Sequence, residues 1–156
     1  MEKNINNKLK IGFSIGDFNG IGPEILLKAF YNKNLFEVCV PIVFSSRYIL
    51  DYYKNKFSID IDINDQKNNI KENQINCFSN EKFDSNILPG KVNVDAGRYA
   101  ESSLRESIKY FKKGFIDSLI TLPISKINIQ SNTFQFPGHT EFLESEFTNE
   151  KSMMVM

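Results

Sequence analysis

The alternation of apolar and polar positions in the first part of the chain predicts strand, helix and strand in succession. Residues 10–15 are apolar and β-rich and run into a glycine cluster, as a buried strand does before a βα turn. Pro23 and Glu24 suit the first turn of a helix, because proline lacks the N–H that is unpaired there and the helix dipole favours a carboxylate. An apolar helical face is predicted at Ile25, Leu26, Ala29 and Phe30.

The middle of the chain also shows the pattern of alternating strands and helices. Apolar runs at 38–44 and 57–63 predict two further strands, with a helix at 47–56 between them. This βαβαβ order is typical of a largely parallel sheet. The polar stretch at 64–89 contains one apolar island, at 75–78, and predicts a loop with one short strand.

A second helical pattern follows at 96–113. Its apolar positions recur at spacings of four, four and three, and Gly114 is expected to end the helix. A strand at 115–122, a turn or short helix in SKINIQ and a helix at 140–147 are predicted next. These patterns indicate an α/β protein with a mostly parallel sheet and flanking helices. The apolar positions of the two helices are Ala100, Leu104, Ile108 and Phe111, then Phe142, Leu143 and Phe147.

Composition narrows the function classes. A chain of 156 residues, 41% of them hydrophobic, can bury one core. The 19 basic residues equal the 19 acidic ones, so no overall charge favours nucleic acid or anionic lipid, and a small-molecule ligand is expected. The first ten residues lack an apolar signal region and no stretch reaches about 20 apolar residues, which predicts a cytoplasmic protein. Cys39 and Cys77 are expected to be buried free thiols.

The first polar cluster is the glycine-rich segment 16–24, at the end of the first strand. Its glycines allow a sharp turn and a close backbone approach to a ligand, and at least one of them is expected to have φ above zero. The glycine order is neither a dinucleotide fingerprint nor a phosphate loop, and Asp17 and Glu24 would repel a phosphate. A hydroxyl or amide ligand fits better, and a tight turn with a helix-capping acid explains the pattern equally well.

A second cluster follows the strand at 115–122, and we expect it at the same carboxyl edge of the parallel sheet as the first cluster, where α/β proteins place ligands. Thr121 and Ser125 offer hydroxyls and Lys126 a positive charge, which together suit a phosphate or carboxylate. The alternative is that Pro123 starts a helix and Lys126 is an ordinary solvated lysine.

The third cluster contains the single histidine of the chain. Gly138 frees the backbone, Thr140 suits a helix N-cap, and the helix start would present unpaired N–H groups to an anion. His139 could add a hydrogen bond that depends on its protonation near neutral pH. A packed or capping histidine is the alternative.

In combination, the three clusters resemble the signatures of one family, the 4-hydroxythreonine-4-phosphate dehydrogenases of pyridoxal phosphate synthesis. SIGDFNGIGPEI is similar to the family's opening strand and glycine loop, and FPGHTEFLESEF to its G-H-T-E-F motif. The segment AGRYAESSLRESIKYFKKGFIDSLITLPISK resembles its central helix, strand and T-x-P-I-x-K turn. The resemblance is weakest at 57–88.

The resemblance implies an NAD-dependent oxidation of 4-phosphohydroxy-L-threonine followed by loss of the carboxyl group, in a homodimer that needs a divalent metal. His139 and Thr140 match the family's substrate-contacting pair and are assigned as substrate-binding residues. Asp17 and Lys126 lie in matching motifs and are candidate cleft residues. No catalytic or NAD-contacting residue is assigned.

The sequence also departs from the family. The family's metal is held by histidines beyond the G-H-T-E-F segment, whereas no histidine follows His139, so no metal ligand is expected in this chain. Residues 152–156 read as an interrupted strand. We therefore expect residues 1–156 to be the N-terminal portion of a two-domain α/β dehydrogenase, inactive alone, with the second half and the metal ligands absent.

Two other functions remain open at this point. One is a non-catalytic remnant or module that binds a small phosphorylated ligand through the helix start at His139. The other is a related dehydrogenase acting on another phosphorylated hydroxy acid, such as a four-carbon threonate phosphate. The sequence does not separate such close substrates.

Overall fold

A computed structural model describes residues 8–79 and 83–147 of the chain, which contain a five-stranded parallel sheet. All four strand pairings are parallel, in the order β3-β4-β2-β1-β5, which confirms the α/β class. The expected strand at 152–156 lies outside the described residues. The strands are β1 (Leu9–Ser14), β2 (Cys39–Phe44), β3 (Ile63–Asn64), β4 (Ile75–Cys77) and β5 (Ser118–Thr121).

Five helices connect or follow these strands in the described residues. α1 and α3 contact each other, whereas α4 contacts β1, β2 and β5. Parallel crossovers are nearly always right-handed, so the helices that lead to strands on the two sides of β1 are expected to pack on opposite faces of the sheet. The helices are α1 (Gly22–Tyr31), α2 (Leu35–Val38), α3 (Arg47–Lys56), α4 (Val94–Lys112) and α5 (His139–Glu146).

The strand order creates a switch point at β1. The chain leaves β1 toward β2 and later returns through α4 to β5 on the other side, so β1 lies between them. Ser14 at the end of β1 is in register with Phe44 of β2 and with Thr121 of β5. The first two polar clusters therefore share one edge, the carboxyl edge, where open α/β sheets bind ligands. This confirms the predicted shared edge.

The apolar residues form one large core and two smaller ones. The main core joins β1, α1, α3 and the strands beyond β2. A second cluster, the α4–α5 cluster, consists of Ala100, Leu104, Ile108, Ile129, Phe134 and Phe142. The apolar face predicted for α4 is confirmed, since its first three positions are buried in this cluster.

Helix α3 has the predicted bounds, but the strand predicted at 57–63 was wrong in extent. Only Ile63 and Asn64 pair with β4. The chain first turns at the end of α3, where Ser58 has φ 51° and the N–H of Ile59 bonds to the Lys54 carbonyl. Ile59 and Ile61 are buried in the main core without a place in the ladder. Their apolar alternation therefore reflects burial and not strand pairing.

Smaller differences concern element ends and one helix face. Val38 ends α2 and does not start a strand, and β5 starts at Ser118 because residues 115–117 form a turn. On α1 the buried apolar side chains include Leu26, Leu27 and Phe30, whereas Ile25 is 45% exposed. The predicted face was thus rotated slightly from the real one.

Both cysteines are buried and free, as expected. Burial raises the pKa of the Cys39 thiol, and raises that of Cys77 to about 12. No helix in residues 8–79 and 83–147 combines the length and apolar character that a bilayer crossing requires.

Candidate functional site

The glycine turn after β1 lies directly against the turn after β5. Gly16 has φ 69°, which confirms the prediction that a glycine here takes a positive φ. The Asp17 N–H donates to the Pro123 carbonyl at 2.9 Å. A Cβ on Gly16 would lie 2.2 Å from that carbonyl oxygen, so only glycine fits this contact. Gly16 therefore allows the backbone of the glycine turn to pack directly against the backbone at 122–123.

Asp17 is buried, with 6% exposure, and each of its oxygens accepts a hydrogen bond. Oδ1 accepts from the Asn19 backbone N–H at 2.8 Å, and Oδ2 accepts from the Asn128 side-chain amide at 2.8 Å. The carboxylate thus ties the first polar cluster to the segment just after Lys126. Its place in a cleft stays a prediction, since its observed contacts are all within the protein fold.

Asn19 fixes a second loop beside this turn. Its side-chain oxygen accepts from the Leu88 N–H at 2.7 Å, and its amide donates to the Lys91 carbonyl at 3.1 Å. Its own carbonyl accepts from the Gly90 N–H at 2.7 Å. Asn19 was not singled out from the sequence, because a loop contact 69 residues away leaves no local signal.

The second cluster ends β5 and leads to the third. Thr121 is the last residue of β5, and both it and Ser125 are half-buried. Pro123 starts no helix, since residues 126–129 form only a turn. Lys126 is exposed, and its Cε lies 3.8 Å from the position that a Cβ on Gly138 would take, where the Glu141 Oε2 atom is also near, at 3.6 Å. The structure therefore brings Lys126 next to the residue that precedes His139.

The third cluster forms the start of α5. Gly138 is the N-cap in extended backbone, and no side chain of the described residues caps the helix there. The predicted N-cap role of Thr140 was wrong, because Thr140 already lies inside the helix. The extended Gly138 lets the helix begin at His139, with the Gly138 carbonyl facing the Phe142 N–H at 3.4 Å.

His139 has an unusual polar environment. Within residues 8–79 and 83–147, its Nε2 atom is buried and has no hydrogen-bond partner. Burial lowers the pKa of His139, because desolvation penalises the imidazolium. A buried polar atom without a partner needs an explanation, and a bound ligand is one. If Nε2 of the neutral imidazole carries the proton, it can donate a hydrogen bond to a hydroxyl or ester oxygen. If it does not, it can accept one from a hydroxyl.

A residue missed by sequence reasoning braces this region. Asn128 holds Asp17, and a Cβ on Gly97 would lie 1.9 Å from the Asn128 carbonyl oxygen. Asn128 thereby joins the glycine turn, the start of α4 and the segment that carries Lys126. The sequence signal was only its position two residues after Lys126 in a predicted turn.

The described residues form no divalent-metal cluster, and the glycine turn does not fit a dinucleotide. In the part of the chain that the structure describes, no three His, Cys, Asp or Glu side chains lie close enough to share an ion. The space beside Gly16 is filled by the backbone at 122–123, and the space beside Gly22 by the Ile15 carbonyl at 2.8 Å. These glycines form no open cradle for a pyrophosphate.

The fold defines a class: a parallel, five-stranded α/β unit whose strand order reverses at β1, with the candidate residues following the carboxyl ends of β1 and β5. The sequence of residues 37–156 matches the family described as "Pyridoxal phosphate biosynthetic protein PdxA". The chain belongs to this family.

Curated relatives agree with this membership. The chain is 32% identical to the 4-hydroxythreonine-4-phosphate dehydrogenase of Bacteroides thetaiotaomicron, over 96% of this chain and 42% of the relative. It is 30% identical to an Oceanobacillus iheyensis protein named "Putative D-threonate 4-phosphate dehydrogenase", over 97% of this chain and 47% of the relative. The chain thus spans less than half the length of these relatives.

Solved structures share the fold. A 4-hydroxythreonine-4-phosphate dehydrogenase from Burkholderia phymatum superposes with a TM-score of 0.83 at 21% identity, over 94% of this chain and 46% of the other. The corresponding enzyme from Klebsiella pneumoniae gives a TM-score of 0.77 at 24% identity, over 94% and 45%. At these identities the likeness concerns the fold alone.

Proposed function

We propose that this chain is the substrate-binding, N-terminal portion of an NAD-dependent dehydrogenase that oxidises 4-phosphohydroxy-L-threonine. The oxidised product would lose its carboxyl group, in the synthesis of pyridoxal 5'-phosphate. Family membership and the dehydrogenase names of the relatives support an oxidoreductase. The particular substrate, the cofactor and the decarboxylation are parts of the proposal.

The observation that carries the proposal is the buried Nε2 atom of His139 at the start of α5, which has no hydrogen-bond partner among the described residues. Lys126 lies near Gly138, the residue that precedes His139. The uncapped helix start offers N–H groups, the helix dipole and the Thr140 hydroxyl to an anion. The ammonium group of Lys126 adds a mobile positive charge at the same place. A phosphorylated hydroxy acid matches this set, because it carries both an anion and hydroxyl groups.

The remaining parts of the proposal rest on the family resemblance. A divalent metal would polarise the oxygen that becomes a carbonyl, and its ligands would lie outside the described residues. No residue of this chain is assigned a contact with NAD. A homodimer in the cytoplasm completes the proposal. The role that we propose for the described residues is to bind and orient the substrate.

A second candidate substrate is D-threonate 4-phosphate, because relatives that match nearly the whole chain carry that name. The two substrates share the phosphate and a neighbouring hydroxyl. 4-Phosphohydroxy-L-threonine has an amino group where D-threonate 4-phosphate has a hydroxyl. The described residues offer the same partners to both, so the discrimination between them requires a direct comparison. The alternative function is a non-catalytic module. Such a module would bind the phosphorylated ligand, but a longer protein that contains it would not turn the ligand over.

Binding tests the site. We would titrate the chain with 4-phosphohydroxy-L-threonine, D-threonate 4-phosphate and unphosphorylated 4-hydroxy-L-threonine, by calorimetry and by the NMR signal of the single histidine. The phosphorylated ligands should bind at least about tenfold more tightly, and His139→Asn or Lys126→Met should each weaken them by about tenfold or more.

Lys113→Met is the matched control, because Lys113 is an exposed lysine at the end of α4 and its loss should leave binding unchanged. Equal binding of phosphorylated and unphosphorylated ligands would contradict the proposed site. In a longer protein that includes the rest of the family fold, NADH formation from one substrate and not the other would decide between them.

A further inference from the structure

Helix α5, which carries His139, packs against the rest of the molecule through the small α4–α5 cluster. Phe142, one turn after His139, is buried in the α4–α5 cluster and not in the main core. Its ring centroid lies 5.0 Å from that of Phe134 and 5.2 Å from that of Phe136. The position of the His139 imidazole therefore depends on how this cluster holds α5 against α4.

A buried carboxylate lies beside the cluster. The side chain of Glu101, on α4, is only 9% exposed. It accepts hydrogen bonds from Arg105 Nε at 2.8 Å and from the Ser131 and Thr133 hydroxyls at 3.2 Å each. A buried charge is tolerated only when it is paired and hydrogen-bonded, so Glu101 requires these partners. Glu101 thus fixes the Arg105 guanidinium and the loop at 131–133 to α4.

Arg105 extends these contacts to α5. Its Nη2 donates to the Thr133 carbonyl at 2.6 Å, and its guanidinium carbon lies 4.9 Å from the centre of the Phe142 ring. Its Nη1 also lies 3.7 Å from the Glu146 carboxylate at the end of α5. One guanidinium therefore contacts the loop before α5, the middle of α5 and its last residue.

We propose that Arg105, oriented by Glu101, is a positioning residue that holds α5 against α4 and so fixes His139 in the candidate site. Arg105 itself is not assigned any contact with the substrate. The inference rests on the proposed function for the role of His139, but the geometry it predicts does not require catalysis.

Arginine suits this role for two reasons. Its planar fork can donate to a carboxylate and to a carbonyl at the same time, and its flat face can lie over an aromatic ring. Lysine keeps the charge but cannot make these contacts together. Removal of the guanidinium would also leave Glu101 as a buried carboxylate with only two hydroxyl partners from the loop, which favours separation of the loop from α4.

The single histidine makes the test direct, since its ring signals in an NMR spectrum need no further assignment. In the unsubstituted chain, the histidine should titrate with a pKa below its ordinary value because it is buried. In Arg105→Ala, we expect the pKa to rise toward the ordinary value. Hydrogen exchange of the α5 amides should accelerate by about tenfold or more, while that of β1 and β2 amides stays unchanged.

Arg105→Lys and Glu101→Gln are tested in parallel and should give the same changes to a smaller degree. They also keep the test decisive if Arg105→Ala does not fold. Arg98→Ala is the control, because Arg98 is exposed on the same helix, seven residues earlier, and removes the same charge. It should change neither the histidine titration nor the exchange of α5.

Two results would overturn the inference. One is an unchanged histidine titration in folded Arg105 variants. The other is an equal acceleration of exchange in α5 and in β2, which indicates general destabilisation. Failure of the proposed function gives a different pattern, in which α5 loosens as expected but the unsubstituted chain binds none of the phosphorylated ligands.

Discussion

The glycine turn after β1 and the start of α5 are both predicted ligand sites, but their candidate side chains, Asp17 and His139, differ in hydrogen bonding. Both oxygens of Asp17 accept hydrogen bonds from the protein. The Nε2 atom of His139 is also buried, but it has no partner among the described residues. Ser14 Oγ and Asn128 Oδ1, beside the glycine turn, also lack partners within this part of the chain, so the contrast concerns the two candidate side chains. Asp17 is fully hydrogen-bonded within the fold, whereas His139 can still form a hydrogen bond to a ligand.

The two regions also differ in the cores that support them. The glycine turn rests on the main core, which contains most of the buried apolar residues, whereas α5 rests on the small α4–α5 cluster. Regions supported by few buried contacts open locally at lower free energy than the main core. We therefore expect α5 to open without unfolding of the sheet.

The largest effect should come from truncation in either core. Phe30→Ala and Phe134→Ala each remove a ring that is at most 1% exposed, at an expected cost of about 3–5 kcal/mol. Phe30→Ala should lower the free energy of unfolding of the whole domain in urea. Phe134→Ala should mainly accelerate hydrogen exchange in α5. Identical exchange patterns in the two variants would mean that the molecule has one core.

A second prediction separates packing from backbone strain in the glycine turn. Gly16 and Gly90 both have positive φ, but a Cβ would meet the Pro123 carbonyl at 2.2 Å at Gly16 and no atom within 4 Å at Gly90. Gly90→Ala should cost about 1–2 kcal/mol from strain alone. Gly16→Ala should cost about 3 kcal/mol or more, because the clash is added. Equal losses in thermal unfolding would contradict the close packing of the two turns.

A third prediction concerns the carboxylate of Asp17. Asp17→Ala leaves two buried donors without an acceptor and should cost about 2–3 kcal/mol. Asp17→Asn should recover more than half of this, because Asn128 can turn its amide over and accept from the new side chain with Oδ1, which lacks a partner in the described residues. If Asp17→Asn is as unstable as Asp17→Ala, the fold itself requires the negative charge. If Asp17→Asn stays folded but abolishes ligand binding, the cleft assignment of Asp17 gains support.

The smallest effect is a pH dependence that arises from His139. Burial lowers its pKa in the folded state, so the unfolded state takes up a proton first as the pH falls below about 6.5. This residue therefore contributes stability above that pH which is lost on acidification. Urea unfolding at about pH 7.5 and 5.5 should show a smaller decrease for His139→Asn than for the unsubstituted chain. An equal decrease in both proteins would place the histidine in solvent.

Much of the fold could be predicted because long periodic segments carry their own signal. The bounds of α3 were obtained directly from its pattern, and the buried stripe of α4 repeats over several turns. The strand predicted at 57–63 was wrong because alternating isoleucines indicate burial on one side, whereas pairing depends on a neighbouring strand. Short strands therefore need tertiary information.

The location of the candidate residues could be predicted in part. His139 lies at the start of a predicted helix and Lys126 follows a predicted strand, so both could be singled out from the sequence. The residues that support the candidate site could not be predicted. Asn128 bonds to Asp17, 111 residues away in the chain, and Arg105 bonds to Thr133, 28 residues away. Hydrogen bonds between distant segments leave no periodic pattern, so the supporting residues appear only once the chain is folded.

The two buried cysteines have a practical consequence. Cys77 is 3% exposed, and burial raises its thiol pKa to about 12, so almost none of it is thiolate at neutral pH. A thiol-specific dye should therefore react with the native chain only during transient opening of the sheet. The rate of labelling then measures how often the strands separate, without any introduced probe. Because neither cysteine lies in the candidate site, the same measurement with and without a phosphorylated ligand would report how far binding stabilises the scaffold.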